Sequence, residues 1–407
     1  MYPLTSTRLT PGPSELAPMP RKPAGPPATP AQKPSPKAAA DAKRAPTLAA
    51  LRAEIDRLDK ELVTLLNRRA EVATAIGQVK ATQGLEVWSP AREEEVLERA
   101  MAASKGPLPA ETLRLIFREL MSGSRAIQRP LRVGYLGPKH SYSHHASIAK
   151  FGNAVEHVPL GSIAAVFEEV NRRHVQFGLV PLENSTDGRI ADTLEMFAKL
   201  PGVKIRAEVR LRVHHCLLGK CEWGQVRIVY SKAQALSQCR HWLGKNLPQA
   251  RLIEVVSTAH AAEIVQQQPF AAAVASRAAG EAYNLDVMAA NIEDQPHNLT
   301  RFAVIAEQAE GRTGRDKSSI LLRIPNSVGS LNQVLALFTK AGLNLTMIES
   351  FPANDPPAGQ DPSYLFFLDI DGHAEDEPVK KTLDQVRKRC ERLEILGSYP
   401  RGSSVEG

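Results

Sequence analysis

The chain has 407 residues, of which 43% are apolar, and a formal net charge of +7. This length predicts two to three domains, and the absence of a run of about 18 apolar residues predicts no membrane span. Seven basic and two acidic side chains within residues 1–46 account for +5 of the net charge. The remainder is close to neutral, so the basic balance does not favour a nucleic-acid partner.

The first 46 residues are rich in proline and alanine and contain almost no large apolar residue. Such a segment cannot bury enough apolar surface to offset its ordering entropy, which predicts a disordered tail. A start codon placed too early would also explain it. An organelle transit peptide is the alternative, although the amphipathic Arg/Ser pattern typical of one is absent.

A long helix is predicted over residues 47–82, because apolar residues recur every three or four positions from 51 to 79. Arg69 interrupts this stripe, and Lys80 lies about 20° away around the helix. A guanidinium in an apolar seam is costly unless an anion meets it. Arg69 therefore either extends to the edge of a helix bundle or faces a small polyanion inside the bundle.

Two further helices are predicted after the long one, the first beginning at Pro90. Both carry polar side chains on or beside an apolar face: Arg92 and Glu93 on the first, Ser124 and Gln128 on the second. One such residue would mean little, but several on three helices predict a shared polar cavity.

The segment "LRAEIDRLDKELVTLLNRRAEVATAIGQVK" and the later "PARE" resemble the all-helical chorismate mutase family, over residues 47–129. The resemblance implies an intertwined dimer that rearranges chorismate to prephenate without a nucleophile or metal, its arginines binding the two substrate carboxylates. Lys80 and Gln128 would donate to the ether oxygen, Glu93 would bind the substrate hydroxyl, and Arg52 would enter the partner's site. Better-known members carry Asp in place of Ser89. The implied chorismate-binding residues are Arg52, Arg69, Lys80, Ser89, Arg92, Glu93, Ser124 and Gln128.

Strand-like and helix-like segments alternate from residue 131 to 305, which predicts an α/β domain with mainly parallel strands. Polar clusters follow three strand-like segments: "PLENSTDG" at 181–188, "YSKAQALSQC" at 230–239 and "NLTRF" at 298–302. Ligands bind beyond the carboxyl ends of such strands, so these clusters are candidate site segments.

No catalytic-triad order, nucleotide-binding glycine loop or metal-ligand spacing occurs in this region. His214 and His215 would point to opposite faces of a strand, which favours a core or supporting role over a metal site. The four cysteines are scattered and favour a reduced, cytoplasmic protein.

Together with "HHCLL", the three clusters resemble the prephenate dehydratase family, over residues 131–308. The resemblance implies two α/β lobes, similar to type-2 periplasmic binding proteins, around a cleft that converts prephenate to phenylpyruvate. Thr300 would be essential to the dehydration, and Arg301 would meet a substrate carboxylate. The implied prephenate-binding residues are Asn184, Ser185, Thr186, Ser231, Gln238, Thr300 and Arg301.

Two points stay open for this domain. The usual first motif, G-P-x-G-T-F-S, has His140 in place of glycine and Ser141 in place of threonine, which alters the expected cleft mouth. Arogenate, which differs from prephenate by an amino group, is an alternative substrate.

Residues 317–400 predict the order β-α-β-β-α-β, the ferredoxin-like plan. The segment resembles the ACT domain, which implies phenylalanine binding at a subunit interface and inhibition of the dehydratase. Phe351 replaces the family's usual arginine, so we expect inhibition to be retained but weakened or re-tuned. The implied effector-binding residues are Gly329, Ser330, Leu331, Glu349 and Ser350.

The combined expectation is a multidomain cytoplasmic enzyme, at least a homodimer, with three small-molecule partners: chorismate, prephenate and L-phenylalanine. It would need no cofactor and bind neither nucleic acid nor a membrane. A non-catalytic sensor that reads small metabolites is the alternative from another class. The intact Arg69, Lys80, Glu93 and Thr300 argue against the sensor, whereas the altered first motif and Phe351 favour it weakly.

Overall fold

The computed structural model describes residues 47–186, 188–353, 364–402 and 404–406. The predicted disordered tail, residues 1–46, lies outside the described residues. By its internal contacts the chain divides into two compact units, residues 1–64 and 65–407. Each unit is described by itself below.

The first unit is described only in the N-terminal half of α1 (Leu48–Gln83), which is the predicted long helix shifted by one residue at each end. The apolar stripe predicted for α1 is not buried. Its members are between 47% and 63% exposed along the whole helix: Leu51, Ile55, Leu58, Leu62, Leu65, Val72, Ile76 and Val79. An uncovered apolar stripe of this length is typical of a helix that packs against a partner.

The second unit begins with the remainder of α1 and two further helices, α2 (Pro90–Ala103) and α3 (Ala110–Gln128). Pro90 occupies the first position of α2, where a missing N–H costs nothing. Ser89 caps this helix, since its side chain accepts a hydrogen bond from the backbone N–H of Arg92 at 3.3 Å.

A seven-stranded sheet forms the first lobe of the α/β domain. Its strand order is β16-β5-β11-β3-β1-β2, and β4 pairs with β3. The strands are β1 (Arg132–Leu136), β2 (Glu156–Leu160), β3 (Phe177–Asn184), β4 (Gly188–Arg189), β5 (Lys204–Arg212), β11 (Leu299–Ala306) and β16 (Ser404–Glu406). The helices of this lobe are α4 (Tyr142–Phe151), α5 (Ile163–Asn171) and α6 (Ala191–Lys199).

A five-stranded sheet with order β10-β6-β9-β7-β8 forms the second lobe. Its strands are β6 (Cys216–Gly219), β7 (Ile228–Ser231), β8 (Arg251–Glu254), β9 (Ala271–Ala275) and β10 (Asp286–Ala289). Its helices are α7 (Ala233–Gln238), α8 (Arg240–Asn246), α9 (Thr258–Gln267) and α10 (Arg277–Ala282), with a 3-10 turn at Trp223–Gln225.

The prediction of mainly parallel strands is correct for part of each sheet. In the first lobe β1 lies parallel to β2 and β3, and in the second β7 lies parallel to β8 and β9. β11 is antiparallel to both β3 and β5. The reason is the path of the chain, which leaves the first lobe after β5 and returns to it through β11.

The C-terminal domain has the predicted order β12 (Asp316–Arg323), α11 (Ser330–Lys340), β13 (Leu345–Pro352), β14 (Tyr364–Asp371), α12 (Glu377–Arg387) and β15 (Arg392–Pro400). Its antiparallel sheet has the strand order β13-β14-β12-β15, which confirms the ferredoxin-like plan. One face of this sheet shares an apolar cluster with the first lobe, in which Phe351 is buried near Phe197 and Phe367. No described helix is long and apolar enough to cross a membrane.

Candidate active sites

Two of the predicted chorismate-binding residues meet where α1 faces α3. Arg69 is half-buried, and its Nη1 donates to the hydroxyl of Ser124 at 2.5 Å and to the carbonyl of Leu120 at 3.4 Å. Arg69, the charged residue in the apolar stripe of α1, therefore contacts α3 at Ser124, where the apolar face of α3 becomes polar.

Gln128 lies against the same part of α1. A Cβ built at Gly77 would come within 2.7 Å of the Gln128 Cγ, so only glycine allows this approach of α1 to α3. The Oε1 of Gln128 is buried and has no hydrogen-bond partner among the described residues. Lys80, one turn beyond Gly77, donates from Nζ to the carbonyl of Val87 at 2.8 Å. Burial lowers the pKa of Lys80.

The three predicted residues at the start of α2 have other partners. The Ser89 hydroxyl donates to Glu310 at 2.8 Å. Arg92 is exposed and pairs with Glu95. Glu93, predicted to bind a substrate hydroxyl, accepts a hydrogen bond from the Trp88 indole and pairs with buried Arg125, so its carboxylate already has two donors.

Arg52 lies in the first unit, on the exposed surface of α1. Its predicted place in a partner's site stays a prediction.

A cavity of about 580 Å³ lies between the two lobes of the α/β domain. Three of the predicted prephenate-binding residues line it, Asn184, Thr300 and Gln238. Tyr142 and His215 line it as well. This cavity is called the cleft below.

Strand pairing brings Thr300 and Asn184 together, because they are directly opposite each other on β11 and β3. The Asn184 Nδ2 donates to the Thr300 Oγ1 at 2.8 Å and to the Asn298 Oδ1 at 2.9 Å. The backbone N–H of Thr186 donates to the Asn184 Oδ1 at 2.9 Å, which fixes the orientation of the amide. The hydroxyl oxygen of Thr300 thus accepts a hydrogen bond, and within the described part of the chain no acceptor takes its proton.

The polar network continues from Asn298 across the cleft. Asn298 donates to the Gln238 Oε1 at 2.9 Å, and the His215 Nε2 lies 2.9 Å from the same oxygen. Because that oxygen is an acceptor, His215 carries its proton on Nε2. The Tyr142 hydroxyl donates to the carbonyl of His214 at 2.6 Å and lies 3.0 Å from the His215 Nδ1. Burial lowers the pKa of His215, which favours the neutral ring.

The remaining hydroxyl residues of the prediction support the cleft from outside. The Ser185 hydroxyl donates to the carbonyl of His297 at 3.0 Å, which ties the end of β3 to the start of β11. Thr186 lines an adjoining cavity of about 300 Å³. Ser231 is fully buried and donates to the carbonyl of Val274 at 2.6 Å, so it holds β7 to β9 and does not line the cleft.

Arg301 lies on the face of β11 opposite to Thr300, because successive strand residues point to opposite faces. It is 5% exposed, and its guanidinium lies 2.8 Å from Glu208 and 2.6 Å from Asp369. The structure therefore places Arg301 at the contact with the C-terminal domain and not in the cleft, contrary to the expected contact with a substrate carboxylate.

The altered first motif lies at the cleft mouth. Ser141 lines the cleft and caps α4, accepting from the backbone N–H of His144 at 3.3 Å. His140 has φ 65°, a left-handed conformation that glycine adopts at little cost. Its ring stands 5.7 Å from that of Tyr283 in the second lobe, so this histidine joins the two lobes where glycine could not.

Among the predicted effector residues, Gly329 has φ 82° and precedes α11. The Ser330 hydroxyl lies 2.6 Å from that of Ser327, and Leu331 packs on the core of the C-terminal domain. Glu349 and Ser350 are both contacted by Arg189 on β4. The Arg189 guanidinium lies 3.5 Å from the Glu349 carboxylate and donates to the carbonyl of Ser350.

Three segments of the chain match known protein families. Family models match residues 51–129 (chorismate mutase type II), 133–310 (prephenate dehydratase) and 318–388 (ACT domain). The bifunctional chorismate mutase/prephenate dehydratase of Aquifex aeolicus is 40% identical over 359 residues, which cover 87% of this chain and 98% of that protein. The chain belongs to this bifunctional family. It is an enzyme, and the non-catalytic sensor is not supported.

Further relatives of the bifunctional enzyme agree. The bifunctional chorismate mutase/prephenate dehydratase of Neisseria gonorrhoeae is 40% identical over 85% of this chain and 95% of its own length. The crystal structure of an Arthrobacter aurescens prephenate dehydratase in complex with L-Phe matches with a TM-score of 0.62 and 27% identity. That match covers 67% of this chain and 90% of the other.

Several residues of the bifunctional enzyme's sites were not anticipated from the sequence. Trp88 and Arg125 hold Glu93, and Tyr142 and Asn298 complete the network that leads to Thr300. Asn298 is the first residue of the "NLTRF" cluster, so the sequence could have identified it as a candidate site residue. The others depend on tertiary contacts. In the described part of the chain no group of three or more His, Cys, Asp or Glu could hold a metal ion.

Proposed function

We propose that the enzyme rearranges chorismate to prephenate in a helical domain over residues 47–129 and converts prephenate to phenylpyruvate in the cleft of a second domain, residues 131–308. A regulatory domain over residues 317–400 binds phenylalanine, the end product that this route supplies. The matched family ranges support these bounds. The enzyme acts in the cytoplasm and requires no cofactor.

The observation that carries the dehydratase assignment is the hydrogen bond from Asn184 to the oxygen of Thr300, which lines the cleft and keeps its hydroxyl proton available to a substrate. In the reaction, the bond to the ring carboxylate breaks and carbon dioxide leaves. That electron pair completes the aromatic ring as the C–O bond breaks. The departing hydroxide is stabilised by a hydrogen bond from Thr300, and the Asn184 amide stabilises the negative charge that develops on the Thr300 oxygen.

The lining of the cleft favours prephenate over arogenate. Among the described residues that line it, none is a carboxylate and one, Lys232, is a permanent cation. Prephenate presents two carboxylates, which suit a lysine and hydroxyl donors. The ammonium group of arogenate would need an acceptor of opposite charge. We therefore assign to Lys232 the carboxylate contact first expected of Arg301.

For the mutase, Arg69 and Ser124 lie at one end of the site, with Lys80 and Gln128 at the other. The shift breaks one C–O bond and forms one C–C bond without a proton transfer, so the enzyme's task is to orient the substrate and stabilise charge. The Lys80 ammonium has three donors and uses one on Val87, which leaves others for the ether oxygen. Ser89, Arg92 and Glu93 form the α2 side of this site.

A homodimer or higher homo-oligomer completes the mutase site. The support is the apolar stripe of α1, whose eight members are about half exposed, together with the exposed Arg52 on the same helix. Burial of this stripe against a second copy would be favourable. Analytical ultracentrifugation is expected to show at least a dimer, and a monomer at micromolar concentration would contradict it.

Phenylalanine binds beside Gly329, Ser330 and Leu331 and is contacted by the strand that carries Glu349 and Ser350. Phe351 supplies no guanidinium, but Arg189 places one on Glu349 and Ser350. Arg189 is on β4, and the other residue of this strand, Gly188, pairs with Asn184 on β3. A change at the effector strand thus has a short path to the amide that orients Thr300, which favours retained inhibition.

The test is to incubate the purified enzyme with chorismate and follow prephenate and phenylpyruvate over time. Prephenate is expected to appear first and phenylpyruvate to follow, and added phenylalanine is expected to suppress the second step. Absence of both products would refute the proposed function. Faster formation of phenylalanine from arogenate than of phenylpyruvate from prephenate would refute the substrate assignment alone.

A further inference from the structure

The loop over residues 84–89, between α1 and α2, determines where several mutase groups lie. Lys80 donates to the carbonyl of Val87 in this loop at 2.8 Å. Ser89 ends the loop and caps α2 through the backbone N–H of Arg92. A shift of the loop would therefore move both the Lys80 ammonium and the first turn of α2.

Two side chains from outside the helical domain hold this loop. Arg206 on β5 donates to the carbonyl of Trp88 at 3.0 Å and forms an ion pair with Glu86. Glu310, which follows β11, accepts from the Ser89 hydroxyl at 2.8 Å. Arg206 and Glu310 also pair with each other at 2.7 Å and are only 6% and 8% exposed. Buried charges remain paired because separating them is costly.

Trp88 anchors the same loop in the core of the first lobe. It is 1% exposed, and its ring lies 4.7 Å from that of Phe151 and 4.8 Å from that of Phe177. Its indole N–H donates to Glu93 at 3.0 Å. The loop is thus fixed by the contacts of Trp88 with Phe151 and Phe177 and by the Arg206–Glu310 ion pair. These partners lie in the segment that matches prephenate dehydratase, residues 133–310.

We propose that Arg206 and Glu310 are positioning residues of the mutase site, supplied by the segment of the same chain that matches prephenate dehydratase, residues 133–310. They act through Val87, Trp88 and Ser89 and do not touch the substrate. This inference depends on the proposed placement of chorismate in the helical domain. It makes the mutase dependent on a downstream domain that lies outside its own sequence segment.

The charges of this pair also act on Lys80. The charged groups that face Lys80 are Arg206, which lowers its pKa in addition to the effect of burial, and Glu310, which raises it. Lys80 must be protonated to donate to the ether oxygen. Removing the negative charge of Glu310 therefore lowers the pKa of Lys80 further, and mutase activity is lost at a lower pH than in the wild type.

The experiment compares Glu310→Gln and Glu310→Asp with the wild-type chain. A matched control is Glu307→Gln, which removes an exposed carboxylate three residues earlier in the same segment. Mutase turnover is measured with chorismate and dehydratase turnover with prephenate supplied directly, each over a range of pH. Thermal unfolding of every variant is recorded.

For Glu310→Gln we expect mutase kcat/KM to fall about tenfold, as for loss of a hydrogen bond to a charged group. The alkaline limb of its pH profile should move to lower pH, while dehydratase activity stays within about twofold, a change that is small on this energy scale. Glu310→Asp should recover part of the loss, and Glu307→Gln should match the wild type.

Unchanged mutase kinetics in Glu310→Gln would overturn the inference, and so would an equal fall in both activities with an unmoved pH profile. If Glu310→Gln does not fold, Arg206→Lys replaces the guanidinium that contacts Trp88, Glu86 and Glu310 and keeps the positive charge. Mutase kcat/KM should then fall while dehydratase activity stays within about twofold. No fall, or an equal fall in both activities, would overturn the inference. A wild-type chain without mutase activity would instead refute the proposed function itself.

Discussion

The two catalytic regions differ in how completely one chain builds them. In the dehydratase cleft, Asn184 and Thr300 are opposite residues of paired strands, and the polar groups around them satisfy one another. In the mutase region, the Gln128 oxygen is buried without a partner among the described residues, and the apolar stripe of α1 is exposed.

This difference follows from the secondary structure that carries each site. Strand pairing fixes neighbours through backbone hydrogen bonds, so a site at strand ends is preorganised within one chain. A single helix fixes only the face that each side chain occupies, so a site on helices depends on what packs against them. Here that packing includes the dehydratase domain and, as proposed, a second copy.

The largest expected effect tests the preorganised region. Thr300→Ala removes the hydroxyl that faces the cleft, and we expect phenylpyruvate formation to fall by about 10³-fold, within the range for loss of a positioned proton donor. Prephenate formation from chorismate should persist. Thr300→Ser, which keeps the hydroxyl, should retain part of the activity. A parallel fall of both activities in a folded variant would show that the regions are not independent.

The next largest effect concerns the helical region. Arg69→Leu completes the apolar stripe of α1 and removes the donor to Ser124, so mutase activity should fall by at least about 10²-fold. Thermal stability should be unchanged or higher, and dehydratase activity should remain. Arg68→Leu, at the exposed neighbouring position, serves as the matched control. Unfolding caused by the first change alone would mean that Arg69 is structural.

A smaller effect is expected for Arg189→Ala, which should alter phenylalanine inhibition and leave catalysis unchanged. Arg189→Ala removes the contacts with Glu349 and Ser350, so we expect the phenylalanine concentration for half-inhibition of the dehydratase to rise about tenfold, the loss of one charge-assisted contact. The mutase should be unaffected. Arg172→Ala, which removes an exposed arginine paired within α5, is the control. Unaltered inhibition would place the effector contact elsewhere.

The smallest effect concerns the contact between the dehydratase and C-terminal domains. Burial by itself would raise the pKa of Glu208, but Lys317 and Arg301 lower it to about 2. A lowered pKa stabilises the fold above the unfolded-state value and loses that stabilisation as the pH falls towards 2. As the pH is lowered from 5 to 3, the contribution of the Glu208 carboxylate to the free energy of unfolding should decrease by about 2 kcal/mol.

Glu208→Gln isolates that contribution from the other carboxylates. The difference in stability between wild type and variant, measured by denaturant unfolding, should shrink as the pH is lowered from 5 to 3. A constant difference would mean that Glu208 does not titrate with a lowered pKa.

The sequence predicted most of the architecture because its signals are local. The three- and four-residue spacing of apolar side chains defined α1 to within one residue, and Pro90 marked the start of α2. The β-α-β-β-α-β order of the C-terminal domain was also correct. The antiparallel placement of β11 could not be read from the sequence, because it depends on the chain returning from the second lobe.

The site was predicted less evenly. Asn184, Gln238 and Thr300 could be named because their clusters resemble the prephenate dehydratase family, and all three line the cleft. Arg301 was placed wrongly in the cleft, since the alternation of β11 decides its side and the register was unknown. Glu310 and Trp88 could not be anticipated, because their partners are more than a hundred residues away or on another domain.

The network from Tyr142 to Thr300 alternates between the two lobes. Tyr142 and Thr300 are carried by the first lobe, whereas Gln238 belongs to the second and holds both His215 and Asn298. Separation of the lobes would break the two bonds to Gln238 and release Asn298, the second partner of the Asn184 amide. The hydrogen bonds that lead to Thr300 therefore depend on both lobes keeping this arrangement.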